Sequence, residues 1–362
     1  AKEAGFSHVM TGDMGGTSFD VAVIINGEPE VAELTNLDFR IPLRLPMIDV
    51  HTIGAGGGSI AYLDRGGMLQ VGPRSAGAVP GPVAYRRGGT EPTVTDANVV
   101  LGYLPPVLLD GDMTLDVEGA RKAISRIGEK IGLDVHEAAQ GIVDIANEVM
   151  LGALRTVTVQ RGYDPREFGI VAFGGAGPLH ANAMARLLGC YPVIVPPSSG
   201  VLSALGFLEA DYQNEFVQTF IRGAEKVEPD EVWAHFTELS SKAESWLADQ
   251  GVAEADRTIS YSADLRYEQQ GFEVSVPIAV ETVRPGNRLD QVIGDFHQIH
   301  ERLYGVRFGV PVELVALRVT AIGATPEVNQ QHELGSDGDL EDALIETRPA
   351  YFDGKLFDTP NY

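Results

Sequence analysis

The sequence predicts an α/β fold that changes character near residue 215, and three observations predict it. A glycine turn separates two short apolar runs, His8-Val9-Met10 and the β-branched Val21-Ala22-Val23-Ile24-Ile25, which read as strands. Residues 135–206 alternate helix, strand, helix, strand, helix, the succession of an α/β layer. Beyond 215 an acidic amphipathic helix and paired strand patterns take over, which places one domain at 1–215 and an α+β domain at 216–362.

The first turn is Asp13-Met14-Gly15-Gly16-Thr17-Ser18-Phe19-Asp20. Tight glycine turns let backbone N–H groups converge on an anion, because no Cβ blocks the approach. Thr17 and Ser18 add hydroxyl donors. Asp13 and Asp20 flank the turn and are of the type that holds a Mg²⁺ shell or orients a water. The stretch reads as a phosphate-gripping hairpin, although an ordinary glycine-rich turn with aspartate caps accounts for the same residues. Asn26-Gly27 signals a second, two-residue hairpin.

From 32 to 53 the chain reads as extended, because the prolines of Ile41-Pro42-Leu43-Arg44-Leu45-Pro46 oppose helix. Asp49 and His51 lie two apart, on one face of a strand. They are candidates for substrate or metal contact, or for hydrogen bonds to neighbouring loops. Gly54-Ala55-Gly56-Gly57-Gly58-Ser59 is a second glycine run. Ordering it costs entropy, which suits backbone contact with a ligand at Gly56 and Gly57, or a hinge. The Gly- and Pro-rich stretch 66–95 reads as a long ordered loop. Thr95 or Asp96 is expected to cap the helix that follows; a nucleotide-facing role for Asp96 is the alternative. Helical periodicity covers 116–130 and 134–160. The second of these has Asp134 and Glu137 in a capping-box arrangement and stops at Gly162 and Asp164-Pro165.

Phe168 to Phe173 reads as a buried strand running into Gly174-Gly175-Ala176-Gly177-Pro178, with a helix through Leu188. Strand, glycine turn and helix together hold a nucleotide at a helix N-terminus, with Gly174, Gly175 and Gly177 against the nucleoside; Pro178 suits the first turn. His180 reads as a local hydrogen-bonding histidine. Val193 to Pro197 is the next strand and 201–206 a short helix. In the second domain Val232, Phe236, Leu239, Ala243, Trp246 and Leu247 form the apolar stripe of a helix over 228–250. Residues 260–266 and 271–280 read as paired strands, 290–304 as a helix and 311–322 as a strand. His297 and His300 share a helix face with no third metal ligand near them in sequence. The last forty residues are polar and acidic, with Gly335 to Asp339 a loop.

A length of 362 residues suits two domains, and 44% hydrophobic residues supply their cores. The net charge of −24 repels phosphate backbones and anionic lipid, which argues against nucleic acid and membrane surfaces as partners. The single cysteine, Cys190, excludes an internal disulfide and suits a reducing, cytoplasmic setting. No apolar run approaches the ~20 residues of a membrane span, and no signal peptide is visible. The chain begins with Ala1 and stops at Pro360-Asn361-Tyr362, which leads us to expect a fragment, a processed product or a partly represented chain.

Each glycine turn alone is a weak signal, but their order is specific. DMGGTSFDV at 13–21, IDVHTIGAGGGSIA at 48–61, GPRSAGAVPGP at 72–82, PTVTDAN at 92–98, RGYDP at 161–165 and FGGAGPLHA at 173–181 together resemble the hydantoinase A / 5-oxoprolinase family. That family includes ATP-dependent N-methylhydantoinases, 5-oxoprolinases and subunits of acetone and acetophenone carboxylases. The resemblance runs from about residue 5 to the C-terminus and is strongest over 9–206. It implies an actin/sugar-kinase-like (ribonuclease H-like) ATPase core of two similar α/β halves with ATP between them. Members carry an earlier DxGGTxTD hairpin. None precedes residue 13 here, so the resemblance implies an incomplete core whose N-terminal half lies elsewhere. Phe19 stands where a Thr is expected, which removes a hydroxyl and keeps the turn.

The resemblance further implies ATP with Mg²⁺ (or Mn²⁺), a hydantoinase B-type second subunit, an oligomer and a small-molecule substrate. The implied function is an ATP-dependent hydrolase subunit that opens a hydantoin, 5-oxoproline or lactam by phosphorylating the amide oxygen. A ketone carboxylase subunit and a non-catalytic actin-like module are the alternatives. Backbone N–H groups of Gly15, Gly16 and Thr17, with Ser18, are assigned to the phosphates. Asp13 and Asp20 are assigned as catalytic carboxylates, Asp13 also to the metal and Asp20 also to bracing the hairpin. Asp49 and His51 are assigned to the substrate side.

Overall fold

The computed structural model describes residues 5–32, 35–37, 41–43, 47–279, 283, 289–326 and 340–362. The chain divides into two compact units, Ala1–Leu205 with Glu333–Tyr362, and Gly206–His332.

The first unit opens with β1 (Val9–Met14) and β2 (Phe19–Ile25), paired antiparallel with Asp13 opposite Asp20. Asn26 and Gly27 have φ of +56° and +82°, as a type I′ turn requires. They lead to β3 (Glu28–Pro29) on the other edge of β2. β4 (Val31–Ala32) and β5 (Thr35–Leu37) pair with β7 (Met47–Ile48) and β6 (Ile41–Leu43), so the described part of 32–53 is extended as expected. β8 (His51–Ile53) joins β2 beside β3, and β9 (Ser59–Leu63) forms a hairpin with β10 (Leu69–Ser75).

Helix α1 (Val94–Val100) is capped two residues before Thr95, the earlier of the two expected caps. Thr93 is the cap, and the Asp96 carboxylate turns back to bond the Thr93 N–H at 2.8 Å and the Ala84 N–H at 2.7 Å. Burial pushes the Asp96 carboxyl up in pKa against the pull of these donors. Asp96 thus ties α1 to the loop before it. β11 (Val107–Leu108) pairs with β12 (Met113–Thr114), and α2 (Val117–Ile131) and α3 (Val135–Val157) follow. The Asp134–Glu137 capping box on α3 is present. That helix ends at Val157, and a 3-10 turn at Val159–Arg161 separates it from Gly162. Ile142, Ala146, Met150, Ala153 and Leu154 of α3 are buried in the core with Met10, Phe168 and Ile170, while Val149 faces outward.

β13 (Gly169–Phe173), α4 (Gly177–Leu188), β14 (Val193–Ile194) and α5 (Leu202–Glu209) complete the α/β succession. The sheet order is β14-β13-β1-β2-β3, with β13 parallel to β1 and β14 parallel to β13. An antiparallel meander therefore forms one side of the sheet and two parallel strands the other. Parallel pairing makes β1 and β13 end at the same edge, and each ends in a glycine turn. Cys190 is fully buried and its thiol is pushed up to about 11 by desolvation, so it acts as a small apolar group.

The second unit is a four-stranded antiparallel sheet, β15 (Tyr212–Gly223), β18 (Val312–Gly323), β16 (Arg257–Tyr267) and β17 (Val274–Ile278) in spatial order, with helices α6 (Pro229–Asp249) and α7 (Asp290–Tyr304). The predicted α6 stripe is buried at Val232, Phe236, Leu239, Ala243 and Leu247. β15 has no counterpart in the sequence reading, because only Phe220 of its twelve residues is buried and the alternation is faint. Across three strands, Arg318 forks onto Asp264 at 2.8–3.0 Å and reaches Glu215 at 2.5 Å.

The tail departs from a boundary at 215. Strands β19 (Glu346–Phe352) and β20 (Lys355–Asn361) form a hairpin that belongs to the first unit. Tyr351 N–H donates to Leu101 O at 2.8 Å, the Tyr103 hydroxyl donates to Tyr351 O at 2.8 Å, and Arg348 reaches the Gly102 and Tyr103 carbonyls at 3.2 and 3.3 Å. Gly335 to Asp339, expected as a loop, lie outside the described residues. No described helix is long and apolar enough to cross a membrane.

Replacing Arg348 by alanine leaves two carbonyls at the end of α1 without their charged donor. The expected loss is about 1–2 kcal/mol of stability, read by chemical denaturation.

Candidate functional site at the glycine turns

Two glycine turns, far apart in sequence, meet at the C-terminal ends of β1 and β13. Between the strands of the first hairpin, Gly15 N–H bonds Ser18 O at 3.2 Å. From the second turn, Ala176 N–H donates to Met14 O at 2.9 Å. Gly174 has φ +79°, and a Cβ there would fall 2.5 Å from Met14 O and against the Asp13 carboxylate. A Cβ on Gly177 would approach Gly12 O to 3.1 Å. Only glycine permits this approach. Gly174 N–H is itself held by Ser199 O at 2.9 Å.

The second glycine run buttresses the first turn from behind. Gly57 N–H donates to Gly15 O at 3.0 Å and Gly58 N–H to Gly16 O at 2.7 Å. A Cβ on Gly56 would lie 2.6 Å from Thr17 N, and one on Gly57 would lie 2.7 Å from Thr95 Oγ1. Gly56 and Gly57 are buried, and the Gly56 amide is taken by Ser59 Oγ at 2.9 Å. Their place is under the turn, not on its open side. By contrast, Cβ atoms built on Gly15, Gly16 or Gly175 would meet nothing within 4 Å. Gly16, Thr17 and Gly175 are exposed, and among the described residues their amides donate no hydrogen bond. These amides form a concentration of free backbone donors of the kind that receives an anion.

Asp13 and Asp20 face each other across the hairpin. The Ser203 hydroxyl donates to Asp13 Oδ2 at 2.6 Å. Asp20 accepts from the Ser18 hydroxyl at 2.8 Å and from the Thr52 hydroxyl at 2.5 Å. The Ser18 hydroxyl is therefore spent on bracing, while Thr17 stays open. Ser203 and Thr52 carried no signal in the sequence, because a lone hydroxyl has no pattern. Asp13 lies beside the two turns, bonded to Ser203 through one oxygen; among the described residues, no group of three His, Cys, Asp or Glu could hold a metal ion. One carboxylate suits Mg²⁺ that arrives on phosphate oxygens and keeps its waters. It does not suit a resident metal held by protein alone.

Asp49 is engaged by the RGYDP segment. Arg161 Nη1 lies 2.5 Å from Asp49 Oδ2 and 3.0 Å from Glu30 Oε2, and the Tyr163 hydroxyl donates to Glu30 at 2.5 Å. His51 stands opposite Val21 on the edge of β2, half-buried. His180, in the first turn of α4, is fully buried. It donates from Nδ1 to Asn147 Oδ1 at 2.7 Å and accepts at Nε2 from Asn98 Nδ2 at 3.3 Å, the hydrogen-bonding role expected of it. Desolvation lowers its pKa to about 4. It therefore links the glycine turn to α1 and α3 as a neutral group.

Two outcomes test this geometry. Gly16→Ala should fold with wild-type stability, whereas Gly56→Ala should lose about 1–3 kcal/mol through overpacking, as measured by thermal and chemical denaturation. His180 has a folded pKa below its unfolded value, so its contribution is full above about pH 6.5 and is lost as pH falls toward 4. The His180→Gln variant should show a flatter fall of stability with pH across that window, measured by denaturation at several pH values.

The sequence profile of the hydantoinase/oxoprolinase family matches residues 1–216. The chain is 40% identical over 329 residues to the caprolactamase subunit alpha of Pseudomonas jessenii, covering 89% of this chain and 47% of that protein. It is 38% identical over 382 residues to the acetophenone carboxylase gamma subunit of Aromatoleum aromaticum, covering 100% of this chain and 51% of that one. Among solved structures, nucleotide-free acetone carboxylase matches with a TM-score of 0.83 at 26% identity, over 99% of this chain and 52% of that one. The ATP-dependent caprolactamase from Pseudomonas jessenii matches with a TM-score of 0.73 at 36% identity, over 99% and 53%. The chain thus spans about half the length of these relatives. Its fold is the expected α/β class, an actin/sugar-kinase-like core with an α+β unit. A family profile that covers more than half of the chain, together with relatives of this similarity, establishes that the chain belongs to the hydantoinase/oxoprolinase family.

Proposed function

We propose that this chain contributes the phosphate-binding part of an ATP-dependent hydrolase that opens a cyclic amide. The observation that carries the reading is the convergence of the turns at Gly15–Thr17 and Gly174–Gly177 at one sheet edge, with free amides facing out and Asp13 beside them. An amide carbonyl is a poor electrophile. Transfer of the terminal phosphoryl group of ATP to the amide oxygen releases ADP and leaves an activated carbon; water adds there, the ring C–N bond breaks with the nitrogen taking up a proton, and a second water hydrolyses the resulting acyl phosphate to carboxylate and phosphate. Such transfer depends on positioning and charge neutralisation.

The amides of Gly16, Thr17 and Gly175 would hold phosphate oxygens, and Gly174 and Gly177 would shape the nucleoside side. Ser203 fixes the Asp13 carboxylate through one oxygen and leaves the other to orient a water or a phosphate-borne cation. Asp20, tied to Ser18 and Thr52, keeps the hairpin in register. When bound with ATP, Mg²⁺ (or Mn²⁺) would neutralise phosphate charge, and Asp13 is the residue placed to hold it. Asp49, set by Arg161, and His51 are the substrate-side candidates. The remaining half of the ATPase core and a hydantoinase B-type subunit would complete the enzyme, in the cytoplasm.

A second reading, a ketone carboxylase subunit, is favoured by the TM-score of 0.83 to acetone carboxylase. The two separate in a panel of hydantoins, 5-oxoproline, lactams and ketones, with and without bicarbonate, reading ADP release from the full-length protein with its partner. The hydrolase reading expects a cyclic amide to stimulate ADP release without bicarbonate. Turnover that requires both a ketone and bicarbonate supports the carboxylase. Asp13→Asn should lower ADP release about a hundredfold with the fold intact; unchanged release would remove Asp13 from the chemistry and favour a module that only binds nucleotide.

A further inference from the structure

A cleft of about 430 Å³ in the first unit is bounded by α3, α4, the segment after α1 and the tail hairpin, and none of its lining residues belongs to the glycine turns. Asn147 of α3 lies in its wall and is 3% exposed. Asn147 Oδ1 accepts from His180 Nδ1 at 2.7 Å. That orientation is fixed, because His180 Nε2 is the acceptor for Asn98 Nδ2 and the ring proton therefore sits on Nδ1. Asn147 Nδ2 then has no partner among the described residues and is left to the cleft. A nearly buried amide donor thus faces a space that only a ligand or solvent can fill.

Charges of both signs stand around that donor. Arg186, in the last turn of α4, is exposed and forms no ion pair among the described residues. Asn182, one turn earlier on the same helix face, adds a second amide. Asp144, one turn before Asn147 on α3, accepts from Gln140 Nε2 at 2.8 Å through Oδ1 and keeps Oδ2 free. Asp353, at the tip of the tail hairpin, is exposed and also unpaired among the described residues. Burial, and then the charges of Asp144 and Asp353, push the Tyr103 hydroxyl up to about 12, so both acids stand at the Tyr103 end of the cleft. The remaining charge of the lining, Arg348, is spent on the Gly102 and Tyr103 carbonyls and on Glu346. Lys355 and Asp358, further along the hairpin, do not line the cleft.

A simple anion would answer Arg186 and the Asn147 donor but would meet two carboxylates. A simple cation would answer the carboxylates but would leave the Asn147 donor unpaired and face Arg186. We propose that the cleft binds an aminocarboxylate zwitterion, its carboxylate on Asn147 Nδ2 and Arg186 and its ammonium on Asp144 and Asp353. Charge-assisted hydrogen bonds then form at both ends of one molecule, and the volume is in the range of small-molecule sites. Opening a cyclic amide yields a molecule of this class, so the cleft is a product site if the proposed reaction holds; the binding itself does not depend on that reading. Through Asn147 the ligand is two hydrogen bonds from His180, in the first turn of the helix that follows Gly174–Gly177.

Calorimetric titration of the full chain with 5-aminopentanoate, pentanoate, pentylamine and 1,5-pentanediol tests the proposal. The zwitterion should bind about tenfold more tightly than each of the other three. Arg186→Gln should reduce its advantage over pentylamine several-fold, and Asp144→Asn its advantage over pentanoate, with thermal melts verifying the fold. Binding of pentanoate, pentylamine or the diol as tight as that of the zwitterion, no binding of the zwitterion, or an affinity unmoved by both substitutions would overturn it. The reaction is read separately. Zwitterion binding without amide-stimulated ADP release keeps the site and removes only its assignment to product, whereas amide-stimulated ADP release without zwitterion binding removes the site alone.

Discussion

The architecture of the first unit depends on backbone approaching backbone without side chains between. Gly174 sits against Met14 and Asp13, Gly177 against Gly12, and Gly56 and Gly58 against Gly16. Three separate segments of chain are thereby pressed into one small volume. The contacts take up the inward-facing amides of Gly57, Gly58 and Ala176 on carbonyls of the first hairpin. Because these inner donors are satisfied internally, the outer ones are left facing solvent. A surface of oriented, unspent N–H groups results from packing alone, before any ligand is present, and such groups need no reorganisation to receive charge.

Within that frame the charges are arranged at a cost. Two carboxylates directly opposite each other in a hairpin repel, and the whole chain already carries a net charge of −24. Asp20 is quieted by two hydroxyl donors, while Asp13 has one oxygen bonded to Ser203. The asymmetry distinguishes the pair: Asp20 is absorbed into the scaffold, and Asp13 keeps acceptor capacity on the open side. Arg161 does related service at a distance, gathering Asp49 and Glu30 so that neither is left as an unpaired acid beside the sheet.

Much of this was legible in the residues. Glycine at strand ends, the Asn26-Gly27 turn, the capping box at Asp134 and the apolar stripes of α3 and α6 each report a local requirement that leaves a fixed spacing. The hidden parts were those that depend on contacts between distant segments. Gly56 and Gly57 announce a close approach, but the sequence does not state that the approaching group is the other glycine turn and not a ligand. Ser203 and Thr52 are single hydroxyls with no periodicity. The β15 strand lacks a buried face strong enough to show alternation, and the tail hairpin, exposed at most of its positions, shows none either. Its anchor is a handful of hydrogen bonds to the end of α1 with the stacking of Phe352 on Tyr103 and of Tyr351 on His136, which no local pattern encodes.

The pairing of β15 with β18 has a consequence for how the chain is assembled. Tyr212, where the second unit's first strand begins, lies opposite Gly323, where its last strand ends, and Thr325 is tied to Ala210 and Asp211. The polypeptide thus enters and leaves this unit through adjacent points, one strand spacing apart. A segment with neighbouring ends is a cassette: it can be lengthened, shortened or exchanged without obliging the surrounding chain to span a new gap. Residues on both sides of the insertion, up to Leu205 and from the tail hairpin onward, belong to one compact unit, so the inserted sheet interrupts that unit in sequence without opening a gap in its path.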